Sequence, residues 1–282
     1  MSSTLKITSA MKMVSSAKLR STQKAMGNMV PYESQLSEIL YSLLSSGGSH
    51  TEYSSQREVR NVALVCFSSN STLCGAFNSN VIRSALSVVK EYASQGIGVT
   101  VYSIGRRMAD AMARAGYPSP SDYSAVSSHP SYDAAAALGK SLSEDFLSGR
   151  FDKVEFIYNH YKSASSQQLR RDVYLPFSAP EEPGTPTEAP EGTVYQTFPR
   201  DYIIEPDRES LIAELLPKVL KLKVYTVLLD AAAAEHAARV MAMQTATDNA
   251  NGLLVTLTLE YNKSRQQKIT SEILDIVGGS MQ

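Results

Sequence analysis

From Pro217 to Val277 the chain runs for 61 residues without another proline, and its apolar residues return at steps of three and four. That is the period of a helix face. At about 1.5 Å per residue the segment predicts a rod of roughly 90 Å, several times an ordinary globular helix. A compact body of about 150 residues cannot cover such a rod, so much of it is expected to protrude. A lone helix is marginal in water and is stabilised by burying a stripe on another helix. The stripe is legible: Val224, Leu228 and Ala231; Met243, Ala246, Ala250, Leu253 and Leu257; then Ile269, Ile273 and Ile276. Its spacing predicts a left-handed coiled-coil seam, and its alanines a close approach. Because proline is tolerated as the first residue of a helix, a short helix is expected to end near Leu216 and the long one to begin at Pro217.

The partner for that seam is the other end of the chain. Leu5 to about Leu44 repeats Ile7, Met11, Val14, Ala25, Met29, Tyr32, Leu36, Ile39 and Leu43 at helical spacing. Pro31 is expected to kink this helix, and Ser45-Ser46-Gly47-Gly48-Ser49 to end it. Two helices flanking an inserted domain can pair antiparallel and leave the domain on one side of a stalk. A helical bundle would use the same stripes, but it needs a third or fourth long helix, which this chain lacks unless it oligomerises.

Between them, strand and helix patterns alternate. Val62–Phe67 is a short apolar run, as in a strand buried on both faces. Helix follows from Asn78 to about Ala93, strand at Val99–Ile104, helix at Arg106–Ala115, helix at Tyr132–Leu147 and strand at Val154–Tyr158. That order predicts a parallel sheet with crossover helices, and Val173-Tyr174-Leu175 is a candidate edge strand. Pro176 to Pro199 holds six of the 12 prolines and no Lys or Arg, so an exposed, mobile loop is expected there. The divisions are residues 1–55 (N-terminal helix), 56–205 (Rossmann-like α/β domain with the loop 176–199) and 206–282 (C-terminal helix).

Composition narrows the function. A net charge of -1 argues against a dedicated nucleic-acid binder. No apolar run is long enough to span a bilayer and no charged-then-apolar leader opens the chain, so membrane association is expected only through a partner. Cys66 and Cys74 have neither metal-knuckle nor C-x-x-C spacing and read as reduced thiols. His50, His129, His160 and His236 show no metal-ligand pattern. Ser68–Gly75 follows a strand and precedes a helix, where an α/β fold can cradle phosphate, but it lacks both glycine fingerprints. Cys74 as a nucleophile would need a nearby histidine. No catalytic, cofactor or metal site is expected.

Several runs carry a resemblance. Leu5-Lys6-Ile7-Thr8-Ser9-Ala10-Met11-Lys12-Met13-Val14 through Arg20 resembles the start of ATP synthase gamma subunits. So do Glu235–Met243 with Ala246-Thr247-Asp248-Asn249-Ala250, and Leu257–Gln266 followed by Ile269-Thr270 and Ile276-Val277-Gly278-Gly279. In the middle, Leu73-Cys74-Gly75-Ala76-Phe77-Asn78 and Tyr158-Asn159 fit the family's α/β domain. The resemblance implies a non-catalytic rotor. Its antiparallel terminal helices lie inside a hexamer of alpha and beta subunits, and its globular part sits with the epsilon subunit on the membrane c-ring. Proton or sodium flow turns the ring, and the shaft drives each beta subunit through its affinity states. The implied location is peripheral, on the cytoplasmic face of the plasma membrane. Family members usually begin several helical turns before Lys6-Ile7-Thr8, so by this likeness the chain is shortened at its start. They also carry Asp, a basic residue and Gly where Asn70-Ser71-Thr72 stand, a change expected in a surface turn near the sheet edge.

Lys6, Lys12, Lys18, Arg20 and Lys24 form a positive face with no acid among them. It reads as a solvated face, as a site for nucleic acid or anionic lipid, or, by the resemblance, as a complement to acidic segments of beta subunits. The resemblance further implies partner contacts at Met11, Lys12, Lys18, Arg239, Arg265, Gln266 and Thr270. Without it, Arg239, Arg265 and Gln266 read as exposed helix residues and Met11 as core. A free-standing coiled-coil scaffold and a nucleotide-binding α/β enzyme are the alternative functions.

Overall fold

The structure is a computed structural model and describes residues 2–45, 51–177, 204–205 and 207–279. The proline-rich segment, apart from its first two residues, and the glycine pair at 47–48 lie outside the described residues. In chain order the elements are α1 (Ser2–Ser45), β1 (Asn61–Phe67), α2 (Phe77–Ser94), β2 (Gly98–Ile104), α3 (Arg106–Arg114), α4 (Ser124–Ser128), α5 (Tyr132–Leu147), β3 (Lys153–Tyr161), β4 (Gln167–Leu175) and α6 (Arg208–Gly279).

One sheet of order β2-β1-β3-β4 organises the body. β1 pairs in parallel with β2 and β3, whereas β4 returns antiparallel along the outer edge of β3. The candidate edge strand at Val173–Leu175 is thus only the end of a nine-residue strand. Its earlier residues, Gln167 to Asp172, are polar or half-exposed, which hides a strand from an apolar-run reading. β1 divides the core by alternation. Val62, Leu64 and Cys66 point to α2 and α3, and Ala63, Val65 and Phe67 point to α5 and α6. On the second face Phe156 meets Phe67 edge-on at 5.7 Å and stacks on Tyr174 at 4.6 Å.

Glu155, 2% exposed, ties the edge strand to the other face. It accepts from Lys153 Nζ at 2.7 Å and Arg171 Nε at 2.9 Å, and Arg171 also donates to the Tyr92 hydroxyl. Burial alone would raise the Glu155 carboxyl, but these two cations outweigh it and hold it below its ordinary value.

The long helix differs from expectation at its start. No break falls at Leu216–Pro217: α6 is continuous for 72 residues, about 110 Å. Apolar burial supplies the reason. Ile212, Leu216, Val219 and Leu220 pack into the sheet's core, and that packing offsets the donor missing at Pro217. α1 likewise carries Pro31 within one unbroken helix. α1 and α6 run antiparallel: Glu33 faces Lys223 at 3.7 Å, and Thr8 faces Thr247 at 2.9 Å.

Pairing ends sooner than the seam does. Ala250 is the last buried residue of α6, Leu254 is half-buried, and from Val255 through Ile276 every described side chain is exposed. The third stretch of the seam, Ile269, Ile273 and Ile276, is exposed and has no partner among the described residues. Roughly 35 Å of helix projects alone.

Candidate functional site

Alanine fills the segment where α6 leaves the sheet. Ala233 and Ala237 face Leu19 and Met26 of α1, and Ala234 and Ala238 face Cys74 and Phe77 of the body. Ala231 completes the sheet core. A helix enclosed on three sides needs small residues on three sides, and alanine also has the highest helix propensity. Small buried Ser15 on α1 serves the same close approach.

Directional bonds cross this smooth region. Asp230 Oδ1 accepts from the Tyr161 backbone N–H at 2.8 Å, and Oδ2 lies 2.6 Å from His160 Nδ1. The Tyr161 hydroxyl accepts from Gln23 Nε2 of α1 at 2.8 Å. Nine residues further along α6, Arg239 donates to Glu235 Oε1 at 2.6 Å and to Ser71 Oγ at 2.8 Å. Sequence reasoning passed over Asp230 and Tyr161. The signal was an acid inside the apolar run Val227-Leu228-Leu229-Asp230-Ala231, since a buried carboxylate requires partners.

The carboxyl end of β1, where strand order reverses, is the usual ligand crevice of an α/β sheet. Here α6 lies across it. Phe67, Ile104, Leu228, Ala232 and Glu235 enclose about 10 Å³, close to the room of one water. The donors at the start of α3 are already used: Arg106 N binds Asn70 Oδ1, Arg107 N binds Ser69 O, and Met108 N binds Ser68 Oγ. Asn70-Ser71-Thr72 therefore do not form a turn near the sheet edge. They follow an inner strand, where Asn70 caps α3 and Ser71 holds Arg239. Asn78 organises the rest of the loop, accepting from Ser69 N at 3.0 Å and donating to Cys74 Sγ at 3.2 Å. An open cleft of about 230 Å³ beside Gly75, Asn80 and Met241 is smaller than the ~300–1,000 Å³ common for ligand pockets.

The seven residues expected at partner contacts fall into three places. Arg265, Gln266 and Thr270 lie on the unpaired end of α6 and are exposed. Lys18 is exposed on α1, while Met11 and Lys12 are half-buried in the helix pair. Arg239 is 7% exposed, which corrects its reading as an exposed helix residue. The loop carrying Ser71 folds over it, and Glu235 one turn earlier supplies its countercharge. Lys6, Arg20 and Lys24 are exposed along α1. Among the described residues, no helix is long and apolar enough to cross a membrane.

A rod of paired helices, anchored in an α/β body whose ligand crevice the rod itself fills, defines a shaft-type subunit. The comparisons agree. A family model described as ATP synthase matches residues 1–281. The ATP synthase gamma chain of Phocaeicola vulgatus is 49% identical over 280 residues, covering 99% of this chain and 94% of that one. That of Bacteroides fragilis strain ATCC 25285 is 48% identical with the same coverage, and that of Flavobacterium johnsoniae is 42% identical, covering 99% and 93%. Among solved structures, a chain of the Tetrahymena thermophila mitochondrial ATP synthase central stalk and c-ring has a TM-score of 0.59 at 22% identity, covering 86% of this chain and 99% of that one. A chain of the Euglena gracilis mitochondrial ATP synthase has a TM-score of 0.56 at 20% identity, covering 94% of each. The chain belongs to the ATP synthase gamma-chain family.

Proposed function

We propose that this chain is the rotating central shaft of an ATP synthase, turning ion flow through a membrane ring into conformational change at the catalytic sites of an alpha and beta hexamer. The exposed end of α6 lies within the hexamer, and the body sits with the epsilon subunit on the c-ring. The chain carries no bond chemistry, and it meets the membrane only through partners, at the cytoplasmic face.

One observation carries the reading. Beyond Leu254 the long helix keeps presenting large apolar side chains, among them Leu257, Leu259, Tyr261, Ile269, Ile273 and Ile276, each 44–72% exposed. Such a stripe marks an interaction surface, and its place on a projecting rod suits a sleeve formed by other subunits. Arg265, Gln266 and Thr270 share that segment as polar contacts; lower down Lys12 and Lys18 serve acidic segments of beta subunits, and Met11 is an apolar contact. Arg239, engaged inside the chain, acts by bracing the shaft against the body.

Co-purification with alpha and beta subunits, followed by an ATP hydrolysis assay, tests the reading. The chain should enter a larger assembly and raise its turnover. An alpha–beta complex whose activity is indifferent to this chain rejects the shaft. Stable self-association of the lone chain through its stripes would favour a scaffold instead.

A further inference from the structure

Apolar contact resists separation of two surfaces but has no preferred direction. The faces of α6 where it leaves the sheet are alanine, among the smoothest surfaces a helix can offer. On their own they would let the shaft slip about its axis while staying in contact with the body. Hydrogen bonds are directional and resist that slip.

Tyr161 is the last residue of β3 and touches both long helices. Its backbone N–H is fixed by Asp230 of α6, and its hydroxyl by Gln23 of α1. Its ring packs against both alanine faces, the one toward Phe77 and the one toward Leu19. His160 adds a second bond to the same carboxylate. The anchoring point on the body side is the main chain of a paired strand, which cannot rotate without breaking its ladder. Arg239, by comparison, reaches only a loop hydroxyl. Asp230 is 8% exposed, so its bonds are charge-assisted in a poorly solvated place, where they are strong.

We infer that Tyr161, gripped by Asp230 and Gln23, is the rotational lock between body and shaft, a positioning residue through which torsion passes into both helices at once. This rests on the shaft reading above.

The test is the torsional stiffness of the full complex with alpha and beta subunits, read from the angular fluctuations of a bead attached to the α/β body. Asp230→Ala should roughly halve the torsional spring constant. Gln23→Ala and Tyr161→Phe should each lower it by a smaller, equal amount, and the double variant by no more than either, since both remove one bond. Ser71→Ala should soften it less than Asp230→Ala. A purely structural joint would lower the melting temperature of the free chain and leave the spring constant unchanged. That pattern overturns the lock. Should Asp230→Ala fail to fold, Gln23→Ala, altered on the exposed side, decides the matter with Tyr161→Phe: unchanged stiffness in both overturns the proposal. A wild-type complex that never turns overturns the shaft and the lock together, whereas one that turns with equally stiff variants removes the lock alone.

Discussion

The Thr247 hydroxyl donates to Thr8 Oγ1 at 2.9 Å, and less than two turns beyond it the two long helices stop covering each other. Met243 and Ala250 of α6 are buried, whereas from Val255 through Ile276 the described side chains are exposed. The apolar stripe on α6 nevertheless continues.

That mismatch separates stability from assembly. Leu259→Ser and Ile276→Ser alter side chains that are 65% and 72% exposed, so the free protein should change by less than about 0.5 kcal/mol. Each should weaken assembly with alpha and beta subunits by about 1–3 kcal/mol, roughly five- to 160-fold. Thermal melting and a binding titration check the pair. Unchanged assembly in both variants would remove the stripe as the contact surface.

The alanine run makes the opposite demand. Ala237 is fully buried against Leu19. Ala237→Leu forces α1 away from α6 and should cost about 1–3 kcal/mol by overpacking, whereas Ala237→Gly should cost about 1 kcal/mol through helix propensity. Denaturant unfolding distinguishes them. If leucine proves harmless there, the close helix approach is not a packing requirement.

Acid should loosen the shaft. Burial, with Arg239 on α6 and Lys18 on α1 adding like charge, lowers His236 to about 4, and its Nδ1 lacks a partner among the described residues. Its folded value lies below the unfolded value of 6.5, so the unfolded chain binds the proton more readily. Stability is complete above 6.5 and falls as pH drops toward 4, by about 2 kcal/mol after allowing for partial exposure. Glu155, held low by Lys153 and Arg171 against its burial, acts in the same direction below its ordinary range. Urea unfolding between pH 7 and 4 should show the first loss in wild type and a flatter profile in His236→Gln. Parallel profiles would remove His236 as the cause.

The thiols should be silent. Cys66 and Cys74 are 0% and 1% exposed, and burial raises the Cys66 thiol well above its ordinary value. An aromatic disulfide reagent should label neither in the folded protein and both in denaturant. Rapid labelling of folded protein at Cys74 would revive the nucleophile reading.

The class of fold was readable from the chain because helix and sheet signals are local. The period of the stripe, the long stretch free of proline and the apolar run at Val62–Phe67 each reflect a few neighbouring residues. β4 was only half legible, since an edge strand needs no apolar run. The break placed at Pro217 was overruled by the burial of Ile212 and Leu216. The exposed residues expected at partner contacts were suggested by resemblance alone; apart from it, Arg265 and Gln266 look like any solvated helix residues.

By itself the sequence determined two long helices, an α/β body between them and a seam meant to be buried, because periodicity and proline placement act over a few turns. Tertiary structure decided which part of the seam is buried, that α6 fills the sheet's ligand crevice, and that Asp230 and Tyr161, 69 positions apart in sequence, meet. Those outcomes depend on register and on which faces meet, and no short window of residues contains that information.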